Sequence, residues 1–129
     1  MRNFLFFLAL AYSLALVVLS LMNLRELPDF ELANVDKIYH TIAYFGLVTL
    51  WQLWYFFNSR SFKFQTQSLF IVCFLAILFG IFIEVLQGTF TVYRTWDLLD
   101  MLANLSGVVL AAICLILTRN TLEKLKNKL

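Results

Sequence analysis

Four uninterrupted apolar runs constrain this chain more than anything else in it, because each approaches the roughly 20 residues that a helix needs to cross a hydrocarbon core about 30 Å thick. They cover about residues 4–22, 38–57, 68–87 and 98–118. Their continuity argues against a membrane β-barrel, whose strands are short and alternate polar with apolar residues. A water-soluble fold fails on supply: with 62% hydrophobic and only 14% charged residues, a chain of 129 residues lacks the polar groups to cover a wet surface. The expectation is an all-α, integral-membrane four-helix bundle with short loops, a single domain over residues 1–129. The run behind Arg2 is too long for a signal peptide, and no small-x-small cleavage pattern follows it between Val17 and Asn23, so it reads as a retained helix.

Charge sets the expected orientation. With both termini cytoplasmic, the inner side holds Arg2, Arg60, Lys63, Arg119, Lys124, Lys126 and Lys128, against Arg25, Lys37 and Arg94 outside. The basic tail from Arg119 to Leu129 then reads as an anchor at an anionic inner leaflet. Nothing in the pattern suggests a nucleic-acid partner.

Polar residues recur only where the second, third and fourth runs begin or end: Asp36, Lys37, His40 and Tyr44, then Glu84 and Gln87, then Arg94, Asp97, Asp100 and Asn104. At about 100° per residue each set forms one stripe on its helix. Counting from the expected outer ends, Lys37, Gln87, Arg94 and Asp97 lie at the rim, His40, Glu84 and Asp100 one turn down, and Tyr44 and Asn104 about two. A lone charge at a helix centre costs roughly 2.5–3.5 kcal/mol on insertion scales, so these groups are expected to face one another in a pocket open to the outer leaflet. Asp36, Glu84, Asp97 and Asp100 outnumber Lys37, Arg94 and a protonated His40, which implies a bound proton or a cationic group. Gly107 and Ala111, with Ala103 at the edge, read as small residues for close helix approach, and Gly80 as another. The tryptophans Trp51, Trp54 and Trp96 read as interfacial anchors or lipid-facing filler, and Cys73 and Cys114 as buried, unpaired thiols.

The order and spacing Asp-Lys-x-x-His-x-x-x-Tyr at Asp36 to Tyr44, Glu-x-x-Gln at Glu84 to Gln87, and Arg-x-x-Asp-x-x-Asp-x-x-x-Asn-x-x-Gly at Arg94 to Gly107 resembles the VanZ-like family of bacterial membrane proteins, over about Val35 to Thr118. The resemblance implies a small multi-pass protein of the bacterial cytoplasmic membrane. Its name member is associated with low-level resistance to the lipoglycopeptide teicoplanin.

Three functional readings follow. In the first, the pocket binds an amphiphilic or lipid-linked ligand: Arg94 and Lys37 take an anionic head, Asp100, Glu84 and His40 read polar groups, and apolar helix faces take the tail. In the second, an intramembrane enzyme uses His40 as base or nucleophile, oriented by Asp36 or Glu84, with Asp97 or Asp100 as acid partner; the catalytic candidates are His40, Glu84 and Asp100. No serine nucleophile is expected near the histidine, with Ser20 and Ser106 elsewhere and Thr41 off the stripe. In the third, the ionic network only specifies helix packing. No Cys-x-x-Cys or Cys-x-x-His spacing supports zinc, and a divalent ion held by His40, Glu84 and Asp100 is the less favoured alternative, so no metal and no cofactor are expected. Membrane lipids are the expected partners.

Overall fold

A computed structural model describes residues 2–21, 35–90 and 98–128. Over these the chain is all-helical: α1 (Arg2–Leu21), α2 (Val35–Asn58), α3 (Thr66–Phe90) and α4 (Leu98–Lys126). The helices α1, α3 and α4 are long and apolar enough to cross a membrane. The helix α2, 24 residues long, does not meet that description, because Asp36, Lys37, His40 and Gln52 dilute it.

Its position explains why. The helix α2 packs against all three others and most extensively against α4, whereas α1 and α4 do not touch among the described residues. Tyr44, Leu47, Val48, Gln52 and Phe56 form its buried face, at the three- and four-residue steps of an amphipathic helix. Tyr44, Leu47 and Val48 meet Leu69 and Ala76 of α3 and Val108, Ala111 and Leu115 of α4 in one core. The outer faces of α1, α3 and α4 expose large apolar side chains, Phe7, Leu14, Phe70, Phe74, Leu110 and Leu117 among them.

The crossing of α2 with α4 is the tightest. A Cβ at Gly107 would sit 2.2 Å from the Thr41 carbonyl oxygen and 3.0 Å from the Phe45 nitrogen. The small stripe Ala103, Gly107 and Ala111 thus lets two backbones approach as the sequence predicts. Gly80 serves a different neighbour: a Cβ there would meet the Tyr44 ring at 3.1 Å. On the other flank, α1 is held by Tyr12, whose hydroxyl donates to the Ala43 carbonyl at 3.1 Å over the notch left by Gly46. The Trp51 indole N–H donates to Ser13 Oγ at 3.0 Å, and Phe6 stacks against Trp51 and Trp54 with centroids 6.1 and 5.4 Å away. These two tryptophans fasten α1 to α2, a role the anchor reading did not include.

At about 1.5 Å per residue, the 29 residues of α4 extend about 43 Å, well past a hydrocarbon core about 30 Å thick. The excess forms a latch. Lys126 Nζ donates to the carbonyls of Ser59 at 2.7 Å and Ser61 at 2.8 Å, and also to that of Phe56, over whose ring it lies 4.6 Å from the centroid. A cation thereby satisfies carbonyls at and beyond the C-terminus of α2, where the helix dipole favours positive charge. One turn earlier, Glu123 Oε1 accepts from the Phe64 amide at 2.6 Å. Lys126, assigned from sequence to an anionic leaflet, is therefore engaged within the protein. The two cysteines are free, but only Cys73 is partly buried; Cys114 is exposed, contrary to its expected burial.

The crossing yields a ranking. We expect Gly107→Ala to lower stability in detergent by roughly 1–3 kcal/mol, as an overpacked contact against backbone should. Gly46→Ala, opposed only by the movable end of Tyr12, should cost clearly less. Thermal unfolding of both purified variants measures the difference, and equal losses would show that the α2–α4 crossing is not the tight one.

Candidate functional site

The crossing at Gly107 brings the first turns of α2 and α4 side by side, so residues some sixty positions apart meet at one end of the bundle. Lys37 Nζ pairs with Asp100 Oδ1. One turn deeper, His40 Nδ1 donates to Asn104 Oδ1 at 2.9 Å. Because the amide oxygen can only accept, this bond places a proton on Nδ1. The other ring nitrogen, Nε2, then looks toward two carboxylates, 3.8 Å from Asp36 Oδ1 and 3.8 Å from Asp100 Oδ2.

Accessibility grades the cluster. The His40 and Asp100 side chains are 11% and 12% exposed, Lys37 25% and Asp36 50%. The cluster thus opens at Asp36 and closes at Asn104, itself buried. Behind Asn104 lies an apolar cleft of about 210 Å³ between α3 and α4, bordered by Tyr44, Gly80 and Met101.

Not every expected member joins. Glu84 is buried, at 2% exposed. Among the described residues no ion pair or hydrogen bond connects Glu84 with His40. Gln87 is buried, and its Nε2 donates to the Ser20 carbonyl of α1 at 2.9 Å. Arg94 and Asp97 lie outside the described residues, as does the tryptophan Trp96.

The sequence reading set Thr41 off the stripe and Ser106 elsewhere, whereas the structure brings the two together beside the cluster. The Thr41 hydroxyl lies 2.9 Å from the Lys37 carbonyl, 3.2 Å from that of Ala103 and 3.0 Å from Ser106 Oγ. The last two contacts tie α2 to α4 one turn below the ion pair. The signal was present in the spacing, since Thr41 follows Lys37 by four residues and so shares its helix face.

What can this arrangement do chemically? Lys37 offers an ammonium to an anionic oxygen. His40, held by Asn104, presents Nε2 in a fixed direction, the posture of an oriented acid–base group or of a ligand atom. One atom each from Asp36, His40 and Asp100 lie within 4.8 Å of one another, close enough to consider a metal ion. The Lys37 ammonium already sits on Asp100, however, and a divalent ion would have to displace that cation.

Among known proteins, an uncharacterized protein of the fission yeast Schizosaccharomyces pombe is 36% identical over 118 residues, a stretch covering 91% of this chain and 68% of that protein. The chain belongs to the family of that protein. No family model matches the chain, and no solved structure matches it. The alignment takes in most of the chain, so this kinship extends well beyond any single helix.

Removing one half of the ion pair should cost more than removing both. We expect Lys37→Met to lower stability by roughly 1–3 kcal/mol, by leaving the Asp100 carboxylate without its ammonium partner, and Lys37→Met/Asp100→Leu to recover most of that loss. Denaturant unfolding in detergent measures both; a double variant no better than the single one would exclude the pair as the source.

Proposed function

We propose that this is a VanZ-like multi-pass membrane protein in which all four helices cross the bilayer with both termini cytoplasmic, and that its Lys37–His40–Asp100 cluster receives the polar head of an amphiphile from the outer leaflet. The carrying observation is the cluster itself: an imidazole oriented by Asn104 beside an ammonium–carboxylate pair, open toward Asp36 and backed by an apolar cleft. A site that is polar at its mouth and apolar behind suits an amphiphile better than a wholly polar solute.

The membrane reading is supported from two sides. Three helices have the length and apolarity for crossing, and their exposed outer faces are too apolar to be left in water. The helix α2 can cross with them because Gln52 is buried and Lys37 and His40 are engaged with α4, which leaves Asp36 as the exposed acid at the helix end. The cations Arg60, Lys63, Arg119, Lys124, Lys126 and Lys128 gather at the end opposite His40, which supports placing that end in the cytoplasm. The VanZ-like resemblance supports a bacterial cytoplasmic membrane; the fission-yeast relative lends that compartment no support.

In this reading Lys37, together with Arg94, takes an anionic head group. His40 Nε2 and Asp36 read its hydroxyl or amine substituents, and the cleft beside Tyr44 and Asn104 takes the first part of an apolar chain. An enzymatic reading has one specific observation in its favour: the bond from Nδ1 to Asn104 leaves Nε2 aimed and able to accept a proton, as a general base requires. The VanZ-like resemblance adds lipoglycopeptides to the ligands worth testing.

Binding of short-chain phosphatidylglycerol and of teicoplanin to the purified protein, followed by native mass spectrometry, tests the proposal. We expect at least one of the two to bind, with Lys37→Met and His40→Gln each weakening it about tenfold or more while the protein stays folded, a loss equivalent to about 1.4 kcal/mol. Unchanged binding in both variants would overturn the assignment. Turnover of a lipid-linked substrate that is lost in His40→Gln would replace binding with catalysis.

A further inference from the structure

A second cavity lies at the other end of the bundle. It measures about 700 Å³ and is bounded by α1, α2 and α3. Its wall on α3 runs from Gln67 to Phe79, twelve helical steps and thus about 18 Å along the helix axis. That is slightly more than half of a hydrocarbon core roughly 30 Å thick, the depth occupied by the chains of one leaflet.

The lining changes character along this length. Near the loop between α2 and α3 it offers Tyr55, Gln65, Gln67 and Ser68, with the Tyr55 hydroxyl donating to Gln65 Oε1 at 3.0 Å. Deeper in, the walls are Leu47, Val72, Leu75, Ala76 and Phe79, and Ser13, the contribution of α1, already has its hydroxyl engaged with Trp51 and the Ala9 carbonyl. Such walls do not retain water, which needs two to four polar partners. Left without an apolar filling, they would also forgo dispersion contacts along the whole cavity.

We propose that this cavity holds one acyl chain of a glycerophospholipid from the leaflet at the loop end. The proposal rests on the membrane reading above but concerns a site separate from the His40 cluster, at the opposite end of α2. The polar rim of Tyr55, Gln65 and Gln67 sits at the depth of the ester groups, and the chain runs past Trp51 and Trp54 toward Phe79. Exposed Arg60 and Lys63 lie in the adjoining loop, near where the phosphate emerges. The volume falls within the roughly 300–1,000 Å³ typical of small-molecule pockets. Its mouth toward lipid follows from the slight burial of α1, which has Ala9 as its buried residue.

Tryptophan quenching tests this directly, because Trp51 and Trp54 line the cavity. In a Trp96→Phe background, detergent-purified protein is titrated with phosphatidylcholine carrying a dibrominated acyl chain, whose neutral head makes no demand on Lys37. We expect quenching that saturates near one lipid per protein. It should persist in Lys37→Met, which separates this site from the polar cluster, and fall at least threefold in Ala76→Phe, which fills the cavity. Val72→Phe, on the partly exposed wall, provides a second block should Ala76→Phe fail to fold. Quenching that grows without saturation, or is unchanged in a folded blocking variant, would mean that the tryptophans merely face bulk apolar solvent and would overturn the proposal.

Discussion

The approach of α2 and α4 at Gly107 is the contact on which the rest depends. With no Cβ between them, the Gly107 backbone comes against the Thr41 carbonyl, and the two helices then run side by side in the same direction. Lys37 meets Asp100, His40 meets Asn104 and Thr41 meets Ser106, pairs separated by 63, 64 and 65 positions. That near-constant offset is the signature of a parallel helix pair in register. A larger residue at 107 would push the helices apart and draw those side chains out of reach together.

This pairing also resolves an apparent conflict in the sequence. The helix carrying the most functional groups is the one of the four without an apolar stretch suited to crossing a membrane, which alone would make it a poor crosser. Packed against α1, α3 and α4, it buries Tyr44, Gln52 and Phe56 among protein partners, while Ile38, Tyr39 and Ile42 stay exposed alongside the apolar outer faces of the other helices. The two ends of the bundle consequently differ in chemistry. One gathers ionisable groups around an imidazole, whereas the other combines the Lys126 and Glu123 latch with an elongated apolar cavity.

Hydropathy alone made the four helices legible, because continuous apolar runs admit few other structures. It missed the last two turns of α4, since Glu123 and Lys126 look like part of a charged tail until the amide and the carbonyls they reach are visible. Helical periodicity grouped Lys37, His40, Asp100 and Asn104, which do meet. Periodicity cannot say which neighbour a stripe faces, and so it grouped Gln87 with them, although its amide turns to Ser20 on α1. Thr41 shares a face with Lys37, yet its role as a tie between helices depends on the carbonyl of Ala103, an acceptor that no side-chain pattern reveals.

Because the chain contains a single histidine, nitrogen-15 spectroscopy of the histidine-labelled protein in lipid nanodiscs reports on the centre of the account without any assignment step. The account predicts one fixed tautomer, with the proton on Nδ1, and resonances that move in Asn104→Leu through Nδ1 and in Asp100→Asn through Nε2. A ring that averages between tautomers and responds to neither substitution would contradict it.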